Sequence, residues 1–303
     1  MRRVAGLLAV LVLSACGGDG GGGAQSPAEA LAAAAERMGS EDSARFTFTA
    51  TMQSRDLSDQ TIPFSGEGVS TFAESEEGRL TMDLAEMFEI LIAEEVTDPE
   101  QREFVESLFG DPTGWRAEIR TVGGVGYMNV PALTNLIGGE PWVEFDETDE
   151  EEESGLDIVF GDSPNPGAFL RYLRALAEVE EVGSERIAGR QTTHYRGTVE
   201  LERVPDEAPE DEREQLRERI QRAIEQTGQR TVPIEVWVDE EGLLRRIKFT
   251  DVSPPAKDEK FPTTFQMTMD LTEYGVPVEV EAPPADQVMS ESQFDELTEG
   301  GGT

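Results

Sequence analysis

The chain has 303 residues, with 63 Asp and Glu against 25 Lys and Arg, one His, one Cys and a formal net charge of −38. Such a surface repels phosphate backbones and anionic headgroups, which excludes nucleic acid as a partner and keeps the body from lying flat on an anionic bilayer. One cysteine allows no internal disulfide, so the fold rests on its apolar core, and the length suffices for one large domain or two small ones.

At the N-terminus, Arg2 and Arg3 precede an unbroken apolar run from Val4 to Leu13. The run is too short to span a bilayer, and the small residues Ser14 and Ala15 separate it from Cys16. Leu13-Ser14-Ala15-Cys16 resembles the lipobox of bacterial lipoproteins. The resemblance implies that residues 1–15 are a signal peptide cut before Cys16. It also implies that the Cys16 sulfur carries a diacylglycerol and that the new N-terminus takes a further fatty acid such as palmitate. Two or three acyl chains anchor stably where one does not. The implied location is extracytoplasmic, tethered to the cell membrane. Residues 16–27 are glycine-rich and read as a flexible leash. Residues 28–283 form the body, and residues 284–303, acidic and glycine-ended, read as a disordered tail.

The body opens with a helix over 28–38, between Pro27 and Gly39. Phe46, Phe48, Ala50 and Met52 then alternate with threonines, the period of a half-buried strand. A weaker strand over 62–72 contains Gly66 and Gly68, and a third over 79–84 puts Leu80, Met82 and Leu84 on one face. Residues 84–109 predict two amphipathic helices, the first through Met87, Phe88 and Leu91, the second after Asp98-Pro99 through Phe104 and Leu108. Strands over 115–119, 125–130 and 141–145 follow, with a short helix at 131–137. Residues 146–153 are an acidic loop. A helix begins near Pro166 and runs through Ala177, and strands over 182–187 and 192–201 form a hairpin across Gly189. The charged helix over 209–227 has a thin apolar stripe. Strands over 234–238, 243–250 and 265–274 close the body, with a short edge strand at 276–280. Helices come in blocks between runs of strands, which argues for an α+β body on an antiparallel sheet.

No constellation of side chains points to catalysis. His194 is the sole histidine, lies on a strand, and has no Ser-His-Asp spacing around it. The acidic run lacks the spaced ligands of a calcium loop, and Gly123-Gly124-Val125-Gly126 sits between strands without the lysine of a phosphate loop. The sequence therefore predicts a protein that is not an enzyme, with no metal site and no cofactor. What remains is a surplus of Met and Phe on apolar faces. Taken alone, these residues fit a plain core and an adaptable cavity about equally.

Several stretches resemble the LppX/LprG-type actinobacterial lipoproteins of LolA-like fold. They are the helix leading into Arg45-Phe46-Thr47-Phe48, then Val125-Gly126-Tyr127-Met128-Asn129-Val130 with Gly139-Glu140-Pro141-Trp142-Val143-Glu144. Gly189 to Gly197 follows, and last Val232 to Asp239 with Gly242 to Ile247. The resemblance implies a curved antiparallel half-barrel with helices packed on its concave face, forming a single lipid-binding-type domain over 28–283. It implies an apolar cavity that binds acyl chains of lipids or glycolipids and carries them through the envelope. The residues expected to line it are Phe46, Phe48, Leu80, Met82, Leu84, Met87, Phe88, Leu91, Phe104, Leu108, Ile119, Met267 and Met269. An envelope transporter is a possible partner. The alternative reading is a LolA-like sensor or protein-interaction lipoprotein, whose acidic loop and charged helix dock a basic partner and regulate envelope signalling.

Overall fold

The computed structural model describes residues 26–56, 58–72, 77–96, 98, 101, 115–129, 142–146, 168–208, 210, 213–253, 261–290 and 292–294. Cys16, the second helix expected within 84–109 with Phe104 and Leu108, the helix expected at 131–137 and residues 147–153 of the acidic loop lie outside them.

Helix α1 (Pro27–Gly39) begins where Ser26 and Glu29 satisfy each other's backbone. The Glu29 N–H donates to the Ser26 hydroxyl, and the Ser26 N–H donates to the Glu29 carboxylate. This capping box fills two of the donors that a helix start leaves open, and it holds the Glu29 pKa below its usual value through the bond from the Ser26 backbone. One face of α1, with Leu31, Ala34, Ala35 and Met38, is buried.

Strands β1 (Ser43–Gln53), β2 (Ile62–Thr71), β3 (Glu77–Asp83), β4 (Arg116–Val122), β5 (Val125–Asn129) and β6 (Trp142–Asp146) form a first meander, with helix α2 (Ala85–Glu95) between β3 and β4. Helix α3 (Ala168–Arg174) leads into the second meander. This runs β7 (Leu176–Ile187), β8 (Arg190–Glu200), a 3₁₀ segment (Leu201–Glu207), helix α4 (Arg213–Thr227), β9 (Thr231–Asp239), β10 (Leu244–Ser253) and β11 (Thr263–Tyr274). A last strand, β12 (Val288–Ser290), follows a second 3₁₀ turn. All twelve strands belong to one sheet, in the order β12-β6-β5-β4-β3-β2-β1-β11-β10-β9-β8-β7. Every neighbouring pair is antiparallel except β12–β6. The sheet is open, because β7 and β12 are both edges. The expected antiparallel half-barrel with helices on its concave face is found as a large open antiparallel sheet, not closed into a barrel, with a few helices.

The helices share one face of the sheet. Phe169, Tyr172 and Leu173 of α3, and Leu216, Ile220 and Ile224 of α4, join α1 in a core with Phe46, Phe48, Ile247, Phe249, Met267 and Met269. Each large apolar side chain buried there contributes about 1.5–3 kcal/mol of transfer free energy. Burial pushes the phenol of Tyr172 far above its ordinary pKa, and Tyr274 likewise. The Tyr274 hydroxyl donates to the Leu244 carbonyl at 2.5 Å.

Three elements differ from expectation. Leu176 and Ala177, read as helix, start β7, because Leu176 pairs with Val199 across the hairpin. No strand forms at 276–280. Residues 284–290, placed in the disordered tail, instead close the sheet edge, with Met289 buried opposite Val143. Three residues of strand carry little signal of their own, and only a parallel partner makes them one.

The β9–β10 turn is held by a buried ion pair. The Arg245 Nε donates to Asp239 Oδ2 at 2.6 Å, and Asp239 Oδ1 accepts from the N–H groups of Glu241 and Leu243, both at 2.9 Å. Replacing Asp239 by Ala takes the close partner from the buried Arg245 guanidinium, which keeps only Glu241 Oε2 at 3.8 Å and the face of Tyr274. We expect Asp239→Ala to lower the free energy of unfolding by about 3–5 kcal/mol, measured by chemical denaturation.

Candidate functional site

The strand registers lay the apolar residues in rows that cross the sheet. One row runs Tyr195–Val236–Ile247–Met269–Phe48–Gly66–Met82–Ala117, from β8 to β4. A second runs Leu271–Phe46–Gly68–Leu80–Ile119–Met128–Val143–Met289, from β11 to β12. Side chains alternate between faces along a strand, so each row stands on the helix-covered side.

Both rows are interrupted at β2 by glycine, and there the aromatic rings of β1 lean across. A Cβ added to Gly66 would stand 2.5 Å from Phe48 Cε1 and 2.6 Å from the Thr81 carbonyl oxygen. At Gly68 it would stand 2.6 Å from Phe46 Cζ and 2.7 Å from the Arg79 carbonyl oxygen. At Gly126 it would collide with the ring of Phe145. These glycines allow close approach by an aromatic side chain; none of the three needs a left-handed backbone. The rings therefore cover bare backbone, and no side chain stands up from β2 at either position.

The two halves of the face are sealed differently. Over β8–β11 and β1 the side chains are shut in: Phe46 is 2% exposed, Phe48 3%, Met267 3% and Met269 0%. Over β2–β5 Ile62 and Leu80 are buried, but Phe64, Phe72, Met82, Ile119 and Met128 are half-buried. Helix α2 packs on this second half. The Leu84 N–H donates to the Trp115 carbonyl at 3.0 Å, the Ala85 N–H to Asp83 Oδ1 at 3.2 Å, and the Phe88 ring meets Trp115 edge-on with centroids 4.2 Å apart. Leu84, Met87 and Phe88 are half-buried too.

Of the residues expected to line a cavity, the structure thus brings Phe46, Phe48, Leu80, Met82, Ile119, Met267 and Met269 onto one face. Leu84, Met87 and Phe88 sit at its β3–β4 side. Leu80 is buried with the first group, whereas Met82 and Ile119 pack at the margin of the core. Phe104, Leu108 and the Leu91 side chain lie outside the described residues. Sequence reasoning passed over Phe64, Phe72 and Trp115. The signal for Phe64 lay in the alternation of β2, weakened there by the glycines that let the neighbouring rings lie flat.

The opposite face is polar and paired. His194 stacks on Trp237 with centroids 4.2 Å apart, its Nε2 lies 2.8 Å from Glu235 Oε2, and the Trp237 Nε1 donates to Glu185 at 2.5 Å. Beside them the Arg246 guanidinium grips Asp270 through two bonds of 2.5 and 2.7 Å. That pairing pushes the Arg246 pKa up. His194 is therefore a strand-face residue held by stacking on Trp237, with its Nε2 beside the Glu235 carboxylate. Among the described residues no group of three His, Cys, Asp or Glu side chains gathers as a metal site, and no helix is long and apolar enough to cross a membrane.

An open antiparallel sheet with one apolar face under helices, graded from sealed to half-covered, is a fold suited to holding apolar material. No protein-family model matches the chain. An uncharacterised 31.2 kDa protein of Streptomyces griseus is 27% identical over 178 residues, which are 57% of this chain and 54% of that protein. The chain therefore spans about half the length of the curated relative it matches. In fold it is similar to LprF of Mycobacterium bovis, at a TM-score of 0.45 and 15% identity, covering 86% of this chain and 97% of LprF. It is similar also to the Mycobacterium tuberculosis lipoprotein LppX, at a TM-score of 0.44 and 12% identity, covering 84% of this chain and 98% of LppX.

A Cβ at Gly66 meets both a ring and a neighbouring backbone, and only the ring can yield. We expect Gly66→Ala to cost about 1–3 kcal/mol in denaturant unfolding, as overpacking does. Adding Phe48→Leu should restore only part of that loss, because the Thr81 carbonyl stays where it is.

Proposed function

We propose that this protein is an envelope lipoprotein, anchored through Cys16, that binds the acyl chains of a lipid or glycolipid in an apolar cavity and carries them through the cell envelope. The single observation that supports the reading is the gradient along the apolar face. Sealing the face over β8–β11 supplies stability, while half-buried Met82, Ile119, Met87 and Phe88 around β3, β4 and α2 leave apolar surface that an acyl chain can cover. Methionine and phenylalanine at these positions adapt to a flexible chain. Binding makes and breaks no bond. It draws on about 0.8 kcal/mol per buried methylene, less the cost of ordering the chain, so a long acyl chain binds and a short one does not. Helix α2 has no side-chain cap at Leu84 and acts as the movable cover.

The test is native mass spectrometry of the full chain purified from its own membranes, with lipid extraction of the same sample. We expect reproducible adducts of lipid mass, strongly reduced by Met82→Glu and by Phe88→Glu in protein that still unfolds cooperatively. The Cys16→Ser variant should leave the membrane fraction. A chain that carries no lipid and takes up no added palmitate would overturn the carrier reading.

A further inference from the structure

Past β11 the chain crosses the sheet as a strap, over the outer face of the first meander. The Gly275 N–H donates to the Ser43 carbonyl at 2.9 Å, and the Ser43 hydroxyl donates to the Val276 carbonyl at 2.5 Å. Farther along, Arg120 Nη1 donates to the Glu281 carbonyl at 3.1 Å, while the same guanidinium lies 4.4 Å from the centroid of the Trp142 ring. Arg120 and Trp142 adjoin Ile119 and Val143, whose side chains stand on the apolar face, so this tie lies on the opposite one. Val276, Val278 and Val280 are half-buried and alternate with exposed Pro277, Glu279 and Glu281. Pro277, Pro283 and Pro284 have no N–H to give, which keeps the strap from joining the sheet as a strand and stiffens it.

At the β6 edge the chain changes face. Val288, Met289 and Ser290 of β12 pair in parallel with Trp142, Val143 and Glu144. Met289 is 1% exposed and packs on Val143, at the end of the row Leu80–Ile119–Met128–Val143. Just beyond, the Ser290 N–H donates to the Gln293 side-chain oxygen at 2.9 Å, and the Gln293 N–H to the Ser290 hydroxyl at 3.3 Å. This is the reciprocal pairing of a capping box, and it turns the chain so that Phe294 packs on the Met289–Val143 pair. Met289 and Phe294 thus close the β6 margin of the apolar face, beside half-buried Met128 and Ile119.

The closure is thin. β12 has three residues where β1 has eleven, and Met289, Val143 and Phe294 form a small cluster separate from the main core. A segment with so few buried apolar contacts opens locally while the rest of the fold stays intact. We propose that β12 is a latch on the apolar face. Closed, it seals the β6 margin. Lifted, it opens a side entrance through which an acyl chain reaches Met128, Ile119 and Met82. The latch rests on the acyl-carrier reading and adds to it where the chain enters and what sets the rate. Uptake follows the fraction of time that the latch is open.

The experiment locks the latch. Val143 and Met289 are direct partners across the β6–β12 pair, so Val143→Cys with Met289→Cys sets two thiols side by side. The full chain also carries Cys16→Ser, which leaves no third thiol. Uptake is followed by stopped flow with cis-parinaric acid, whose fluorescence rises as it leaves water. We expect oxidation to slow uptake about tenfold or more, a reductant to restore it, and Met289→Ala to speed it by a similar factor. Hydrogen exchange reads the same opening: in Met289→Ala the amides of Val288 to Ser290 exchange faster, while those of β1 keep their protection. Equal uptake by the oxidised and reduced forms overturns the latch and leaves the acyl-carrier reading standing. Should the disulfide not form, uptake by Met289→Ala at the rate of the unsubstituted latch overturns it as well. A chain with the unsubstituted latch that takes up no probe overturns the carrier reading and the latch together.

Discussion

The whole sheet hangs on the pairing of its first strand with the last strand of the second meander. β1 and β11 run antiparallel from Ala44 opposite Tyr274 to Gln53 opposite Thr264. Each meander can pair its own strands through short turns. Among the described residues only the β1–β11 ladder joins the two into one surface, and it closes a loop of more than two hundred residues. Such closure is entropically expensive and is repaid by contacts far apart in sequence. Phe46 and Phe48 opposite Leu271 and Met269, with α1 and α3 above them, supply those contacts. β1 also carries the aromatic rings that lie over Gly66 and Gly68, so the same strand shapes the face on both its sides.

Charge is managed by the same division into faces. In a chain of net charge −38, the described acids are mostly exposed, and buried Asp239 is paired with Arg245. The edge strand β7 carries Glu178, Glu180, Glu181 and Glu185, and two irregularities break its pairing with β8. Charge and irregularity together blunt an edge that would otherwise template further strands. On the outer face the stacked His194 ring and the neighbouring Arg246–Asp270 pair shelter Trp237, which is 6% exposed. Nearly all the apolar capacity of the fold is thereby directed to one face, where it is sealed over one half and half-covered over the other.

Much of this was legible in the sequence, and the reasons differ from element to element. β1 announces itself through four apolar residues alternating with threonines, and helix α4 through Leu216, Ile220, Ala223 and Ile224. The latter helix reads as mostly wet, yet its stripe is wholly buried, because the 3₁₀ segment Leu201–Glu207 that it packs against has no periodicity to give it away. The candidate cavity residues were found as one apolar set. Their division into a sealed group and a half-buried group was not, since Met267 and Met82 look alike in sequence and differ only in what lies above them. The tie at the β1–β2 turn was passed over for a related reason: Asp56 accepts from the Phe261 N–H from 205 residues away in the chain.

Local rules of the chain thus determined the elements that repeat with a clear period, the placing of charge outside and apolar residues inside, and the signal-like start ending at Cys16. Periodicity and composition act over a few residues, and they suffice for that. The tertiary structure alone decided the strand order, the capture of Val288–Ser290 by β6, the laying of Phe46 and Phe48 over glycines, and the joining of Asp56 to Phe261. Each of these depends on which distant backbone becomes a neighbour, and a neighbour across the sheet leaves no mark on the residues beside it in the chain.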